Sequence, residues 1–213
     1  MVKLKVWGLA LAFLWSQAVL AEVLDVTIHY VGPTEGSVWL GMQQGMTEAN
    51  IQGEFLGQKY TVKPVTIDEL AGLENVTSLL LATDANSIEK IAMTEKFKQV
   101  PVFNLVSDAD SLRAACLPNL LNISASQQMK KDALMQWMAK HPDSKAHVQA
   151  WHEDFKKFAA SQLNIRFTKA HAVIMDDDAW AGWAALKLVS DTVARVQSAD
   201  AEKMLNYLRN DIA

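Results

Sequence analysis

Asp176, Asp177 and Asp178 form the one run of three acidic residues in the chain, in the stretch "MDDDAWAGWAAL", and are the first candidates for hard-cation chemistry. A calcium loop, however, spaces its oxygen ligands at alternate positions around a glycine turn, which three adjacent aspartates do not. Downstream, Trp180, Ala184, Leu188 and Thr192, with Ala181, Ala185, Val189, Val193 and Val196, trace a wide helical apolar face. Carboxylates ahead of such a face cap free amides and complement the helix dipole, contributing around 1 kcal/mol. A helix start is therefore expected, and no metal site. The histidines at 29, 141, 147, 152 and 171 offer no zinc spacing, since His147 and His152 are five apart and diverge around a helix. Ser37, Ser87, Ser124 and Ser126 sit where helix caps belong, and the chain has no Gly-x-Ser-x-Gly elbow, phosphate-binding glycine loop or Cys-x-x-Cys. No catalytic residue and no cofactor is expected: the chain reads as a non-enzyme.

The elements that would position these residues alternate. "EVLDVTIHYVGPTEG" reads as a strand and turn, and "SVWLGMQQGMTEAN" as a helix with Ser37 available as its cap and Gly53 beyond its end. Gly41 and Gly45 would let that helix approach a sheet closely. "KYTVKPVTI" is a second strand, placed at an edge because Pro64 has no amide proton for a ladder. "TSLLLATD" and "QVPVFNLVS" are apolar runs of the kind covered on both faces in parallel sheets, with the helical "ANSIEKIAMTEKF" between them. "NLLNISAS" gives a fifth strand, and Ser124 or Ser126 begins a helix through "QQMKKDALMQWMAK", with Met129, Ala133, Leu134 and Trp137 as its apolar face. Beyond "HPDSK" the pattern is helical: residues 146–162, 177–196 and 199–210.

This order predicts an α/β fold, a single doubly wound, mostly parallel five-stranded sheet of order 2-1-3-4-5 with additional C-terminal helices. In such sheets ligands bind outside the carboxyl ends of the strands. The residues expected there are Tyr30 to Ser37, Thr83 to Ser87, Asn104 to Asp108 and Ser124 to Ser126, with Trp39 in the first helical turn placed to stack on a ligand. Of the seven tryptophans, Trp137, Trp151, Trp180 and Trp183 fall on expected helices, where packing against the sheet is the ordinary role.

Residues 1–21 combine two lysines, an apolar stretch from Val6 to Trp15 and the small-residue ending Val19-Leu20-Ala21, the pattern of a secretory signal peptide cleaved after Ala21. The apolar run is shorter than the roughly 20 residues that span a bilayer. Removing 21 of the 213 residues leaves 192, enough for one core and too few for two α/β lobes of normal size. A net charge of −4 with 21% charged residues describes an ordinary acidic surface without the basic stripe that phosphate backbones require, so nucleic acid is not an expected partner. Cys116, the only cysteine, is expected as a small buried hydrophobe.

Two longer blocks carry a resemblance. "VGPTEGSVWLGMQQGMTEANIQGEFLGQKY" resembles the opening of type I periplasmic solute-binding proteins of the branched-chain amino acid class. "VPVFNLVSDADSLRAACLPNLLNISASQQMKKDALMQWMAK" resembles a narrower group, the ABC transporter substrate-binding proteins encoded with pyrroloquinoline quinone (PQQ)-dependent alcohol oxidation systems, and "DDDAWAGWAALKLVSDTVARVQSADAEKMLNYL" resembles their late helices. The resemblance implies a periplasmic solute-binding component of an ABC-type transport system. Its small-molecule ligand would be lined by Trp39, Thr83, Asn86, Ser87, Asn104 and Ser124, and its partners would be ABC transporter membrane subunits or a periplasmic quinoprotein dehydrogenase. Members have two lobes, whereas here the helix ending near Lys140 passes through "HPDSKAHV" almost directly to the late helices. A single lobe over residues 22–213 is therefore expected, a βαβ core at 22–140 and returning helices at 141–213, with "LNIRFTKAHAVI" as a vestigial strand or linker. One lobe presents an open half-site, which a homodimer or a partner subunit would complete. The alternative is an accessory protein that docks a periplasmic partner through the open face.

Overall fold

The computed structural model describes residues 23–143 and 145–211; the expected signal peptide lies outside the described residues. The chain alternates β1 (Leu24–Val31), α1 (Ser37–Leu56), β2 (Gln58–Pro64), β3 (Ser78–Leu81), α2 (Ala85–Met93), β4 (Val102–Asn104), a short α3 (Asp110–Ala114), β5 (Leu120–Asn122) and α4 (Gln127–Lys140). It then closes with α5 (Ala160–His171), α6 (Asp177–Val196) and α7 (Ala201–Asn210). All strand pairs are parallel and the order is β2-β1-β3-β4-β5, with Tyr30 opposite Pro64 on the outermost strand. The proline sits at the last position of an edge strand, where its missing amide costs no ladder bond.

Each face of the sheet has its own core. Val26, Ile28, Tyr30, Leu80 and Phe103 point toward α1, α6 and α7, while Val31, Leu79, Leu81 and Val102 point toward α2 and Leu112 of α3. This explains why β3 is apolar at nearly every position: all four of its residues are buried. Burial of a histidine in β1 has a consequence for acid stability. His29 is 5% exposed, its Nδ1 has no partner, and burial together with the Lys63 charge opposite it holds its pKa below the ordinary 6.5. The neutral ring is the folded form, so its contribution is fully present above about pH 6.5 and is lost as pH falls below that toward the depressed folded value. Thermal melts between pH 7.5 and pH 5, roughly bracketing that range, should show falling stability in the native chain and a weaker slope in His29→Gln.

The two longest helices meet through small residues. Gly41 and Gly45 of α1 do not serve contact with the sheet, as the sequence suggested; they lie against α6, where a Cβ at Gly41 would stand 1.8 Å from the Ala179 carbonyl oxygen. Gly182 reciprocates, with a Cβ position 2.3 Å from the Val38 carbonyl oxygen. Gly53, expected beyond the helix, is inside it, and α1 runs on to a left-handed Gly57 cap. Ser37 does not cap α1 with its side chain; its hydroxyl donates to Asp176 Oδ2 at 2.6 Å.

A second tie joins α1 to α5 and α6. Glu48 accepts from Arg166 Nε at 2.8 Å, Gln44 Nε2 at 2.8 Å and Trp183 Nε1 at 2.9 Å. Burial works to raise the Glu48 pKa, but the hydrogen bonds from Arg166, Trp183 and Gln44 and the Arg166 charge outweigh it and hold the carboxyl below its usual value. Its stabilisation is present above the unfolded pKa and lost as pH falls through the folded one. Because Arg166 is half exposed, Glu48→Ala should cost only about 1–2 kcal/mol, read as a lowered denaturant midpoint with an unchanged slope.

Five expectations for the second half fail. Residues 146–162 are not one helix: an irregular strap covers residues 145–156, and the helix begins at Ala160. Val148, Trp151, Phe155 and Phe158 have helical spacing, but only Trp151 of the four is buried; Phe158 is 92% exposed, so no continuous apolar stripe faced a core. "LNIRFTKAHAVI" is neither strand nor linker, since residues 163–171 complete α5 and bury Leu163, Asn164 and Phe167. The expected apolar face of α4 is not a buried face, because none of that helix's residues is buried and Trp137 is 51% exposed. Trp151, Trp180 and Trp183 pack around the start of α6 in a third cluster rather than against the sheet. Cys116 is exposed, in a turn at φ 49°, and is not a core residue.

Candidate functional site

The carboxyl ends of β1, β3, β4 and β5 all point to one end of the sheet, because all strands are parallel. At β1, Tyr30 is fully buried, donates to the Pro33 carbonyl at 2.9 Å and has its pKa pushed up to about 12 by burial. Trp39 lies partly exposed with its ring 5.6 Å from Tyr30, so one of its faces is already occupied. At β3, Asp84 caps α2: it accepts from Ser87 N at 3.0 Å and Ser87 Oγ at 2.6 Å, and Thr83 Oγ1 leans on it at 3.4 Å. These bonds, Ser87 foremost, hold the Asp84 carboxyl below its ordinary range. Asn86 is exposed beside them in the first turn of α2.

At β4, Asn104 is wholly buried and its amide closes the following loop. Its Nδ2 donates to Ser107 O at 2.7 Å and Asn122 Oδ1 at 2.9 Å, and its Oδ1 accepts from Ser107 N at 2.9 Å. Asn104 thus shapes the rim from beneath. Ser124, just beyond β5, donates to the Leu105 carbonyl and accepts at its own carbonyl from Arg113 Nη2 at 2.8 Å. The chain brings all six residues to one end of one sheet, with Asn86 exposed, Asn104 buried and the other four partly exposed.

The three aspartates complete this rim, and each has its own task. Asp176 is the α6 N-cap, accepting from Ala179 N at 2.8 Å as well as from Ser37. Asp177 accepts from Trp151 N at 2.8 Å, which pins the strap to the helix start. Asp178 lines a small crevice of about 80 Å³ with Val106, Ser124, Lys130, Ala150 and Trp180. Burial raises its pKa, helped by Asp176 and Asp177 and opposed by Lys130. Lys130 also pairs with Asp108 at 3.2 Å. Among the described residues no group of three His, Cys, Asp or Glu is arranged to hold a metal ion. Lys130, Asp178 and Trp180 were not legible as rim residues, because they reach it only through α4 capping and the return of α6. Two more open clefts flank the strap, one of about 540 Å³ between Trp151 and the Asp176–Asp178 run, the other of about 580 Å³ between Trp137 and His147.

No protein-family model matches the chain, and no curated protein matches it in sequence. Solved structures do match its fold. A possible leucine/isoleucine/valine-binding protein from Rhodopirellula baltica SH 1 superposes with a TM-score of 0.68 at 8% identity, over 88% of this chain and 86% of that one. The fold is that of solute-binding proteins. A solute-binding protein of an ABC transporter from R. palustris, in complex with benzoate, gives a TM-score of 0.62 at 12% identity, covering 85% of this chain and 84% of that one. Another, from Rhodopseudomonas palustris BisB5 in complex with 3,4-dihydroxybenzoic acid, gives 0.59 at 10% identity, covering 84% of each chain. The five-stranded sheet of this chain with its flanking helices matches one lobe of a periplasmic-binding-protein fold.

Proposed function

We propose that this chain is an exported solute-binding component of an ABC-type transport system, with its signal peptide removed after Ala21, and that it presents a one-lobed half-site for a small amphipathic molecule. The observation that supports this most is the convergence of Trp39, Thr83, Asn86 and Ser87 with the Ser124–Asp178–Trp180 crevice at the carboxyl tips of one parallel sheet, in a fold shared with ligand-holding transport proteins. Tryptophan faces suit an aromatic or alkyl body, while the Ser87 and Thr83 hydroxyls, exposed Asn86 amide and Lys130 ammonium suit a carboxylate or hydroxyl. Small aromatic carboxylates, the ligands of two fold neighbours, are accordingly the first compounds to try.

Solute-binding proteins close two lobes over a ligand; with one sheet, less ligand surface is covered and fewer polar groups converge. Affinity should therefore be weak, roughly in the millimolar range. Isothermal titration with benzoate, 3,4-dihydroxybenzoate, leucine, and small alcohols and aldehydes should give saturable heat for at least one class. Silence across the set would reject the reading. A link to PQQ-dependent alcohol oxidation is the finer form of the proposal, and heat from carboxylates or leucine but none from alcohols and aldehydes would count against that link alone.

A further inference from the structure

The strap of residues 145–156 passes over the strand tips. Its Ala150 is one wall of the crevice that Val106, Ser124, Asp178 and Trp180 also line, and with that wall in place the crevice holds about 80 Å³. A water needs at least about 10–15 Å³, whereas pockets that take small molecules run to roughly 300–1,000 Å³. The covered crevice therefore has room for a few waters and not for an aromatic ring. On its two sides the strap is bordered by the open clefts of about 540 and 580 Å³, and every one of its residues except Val148 and Trp151 is exposed. It can leave the tips without pulling a core along with it.

One side chain of α5 grips the strap at three points. Asn164, 8% exposed, accepts from Trp151 Nε1 at 2.7 Å and donates from Nδ2 to the carbonyls of Glu153 at 2.9 Å and His152 at 3.3 Å. Asp177 adds the bond from the Trp151 amide, and Trp180 adds the stacked ring. We propose that the strap is a self-blocking cover of the solute site, latched by Asn164, and that solute and strap compete for the strand tips. The inference rests on the solute-binding reading above. A site that its own chain covers binds with an apparent affinity reduced by the fraction of time it stands uncovered. The coupling is reciprocal, so a solute that takes the tips also loosens the strap. A wall that closed onto solute would behave in the opposite way, held more firmly once solute is bound.

Asn164→Ala cuts the three strap bonds from α5, outside the residues that wall the crevice, and Trp151→Ala opens the same latch from the strap side. Isothermal titration of the full chain compares both variants with the native form, using whichever of benzoate, 3,4-dihydroxybenzoate and leucine gives saturable heat. Both variants should bind that compound at least about fivefold more tightly. In the native chain, saturation with the compound should speed hydrogen exchange at the Trp151 amide and leave the amides of β3 as protected as before. This second arm needs no variant, so it stands even where a substitution unsettles the fold. Equal or weaker binding by both variants, or slower exchange at Trp151 when solute is bound, overturns the cover and leaves the solute site in place. Silence from the native chain and both variants overturns the cover and the solute-binding reading together.

Discussion

Gly41→Ala should lower the stability of the whole fold by about 3 kcal/mol, and the melting temperature by roughly 10 °C for a chain of this length. The alanine methyl would stand 1.8 Å from the Ala179 carbonyl oxygen and 2.6 Å from its carbonyl carbon, both backbone atoms that no rotamer change can move aside. Helices α1 and α6 would have to part, and with them the face of the core where Met42, Ala185, Leu186 and Val189 interlock over the sheet. Gly182→Ala, with its methyl 2.3 Å from the Val38 carbonyl oxygen, should do comparable damage from the other side. Gly72→Ala is the control: no atom lies within 4 Å of its Cβ position, so its melting temperature should stay close to that of the parent. Differential scanning calorimetry of the three variants checks the set. A Gly41→Ala protein that melts with the parent would mean that α1 and α6 do not pack as described.

The second large effect is expected at Trp151, and it should be local. Trp151 is 9% exposed, stacks on Trp180 at 5.9 Å, donates from Nε1 to Asn164 Oδ1 at 2.7 Å and from its backbone to Asp177 at 2.8 Å. Through it the strap meets both α5 and α6. Trp151→Ala removes the stacked ring and leaves Asn164 Oδ1 without its buried donor, a loss of about 3–5 kcal/mol. Because the sheet does not depend on the strap, hydrogen exchange should speed up across residues 148–156 and at the start of α5, with β1 and β3 still protected. Trp151→Phe keeps a stacked ring and loses only the Asn164 bond, and should cost about 1 kcal/mol. Uniform loss of protection across the sheet in Trp151→Ala would contradict a locally attached strap.

The first half of the fold was legible because its elements obey short-range rules. Alternation marks β1, the buried runs mark β3 and β4, and Pro64 alone identifies the edge. The start of α6 was legible for the same reason, since an aspartate before a long apolar stripe is a local signal. What escaped was decided by partners far along the chain. The strap from 145 to 156 has the spacing of a helix, but Trp151 is drawn to Asp177 and Asn164, and that tertiary anchoring overrides the local pattern. Gly41 and Gly45 announced a close approach without naming its partner, which is α6 rather than the sheet. The candidate rim shows the same division. Topology placed Thr83, Ser87, Asn104 and Ser124 at one end, yet periodicity carries no information that Asn104 is buried in its own loop or that Lys130, Asp178 and Trp180 join the rim.

The central claim, that solute is held at the carboxyl tips of this single sheet, is tested most directly by a titration of the isotopically labelled chain followed by amide NMR. Adding benzoate, 3,4-dihydroxybenzoate or leucine should move, saturably, the amides of residues 32–39, 83–87, 105–108, 124–126 and 177–180, and leave those of residues 51–57 in place. An absence of saturable shifts with every compound of the titration panel, or shifts gathered at residues 51–57 instead, would contradict it.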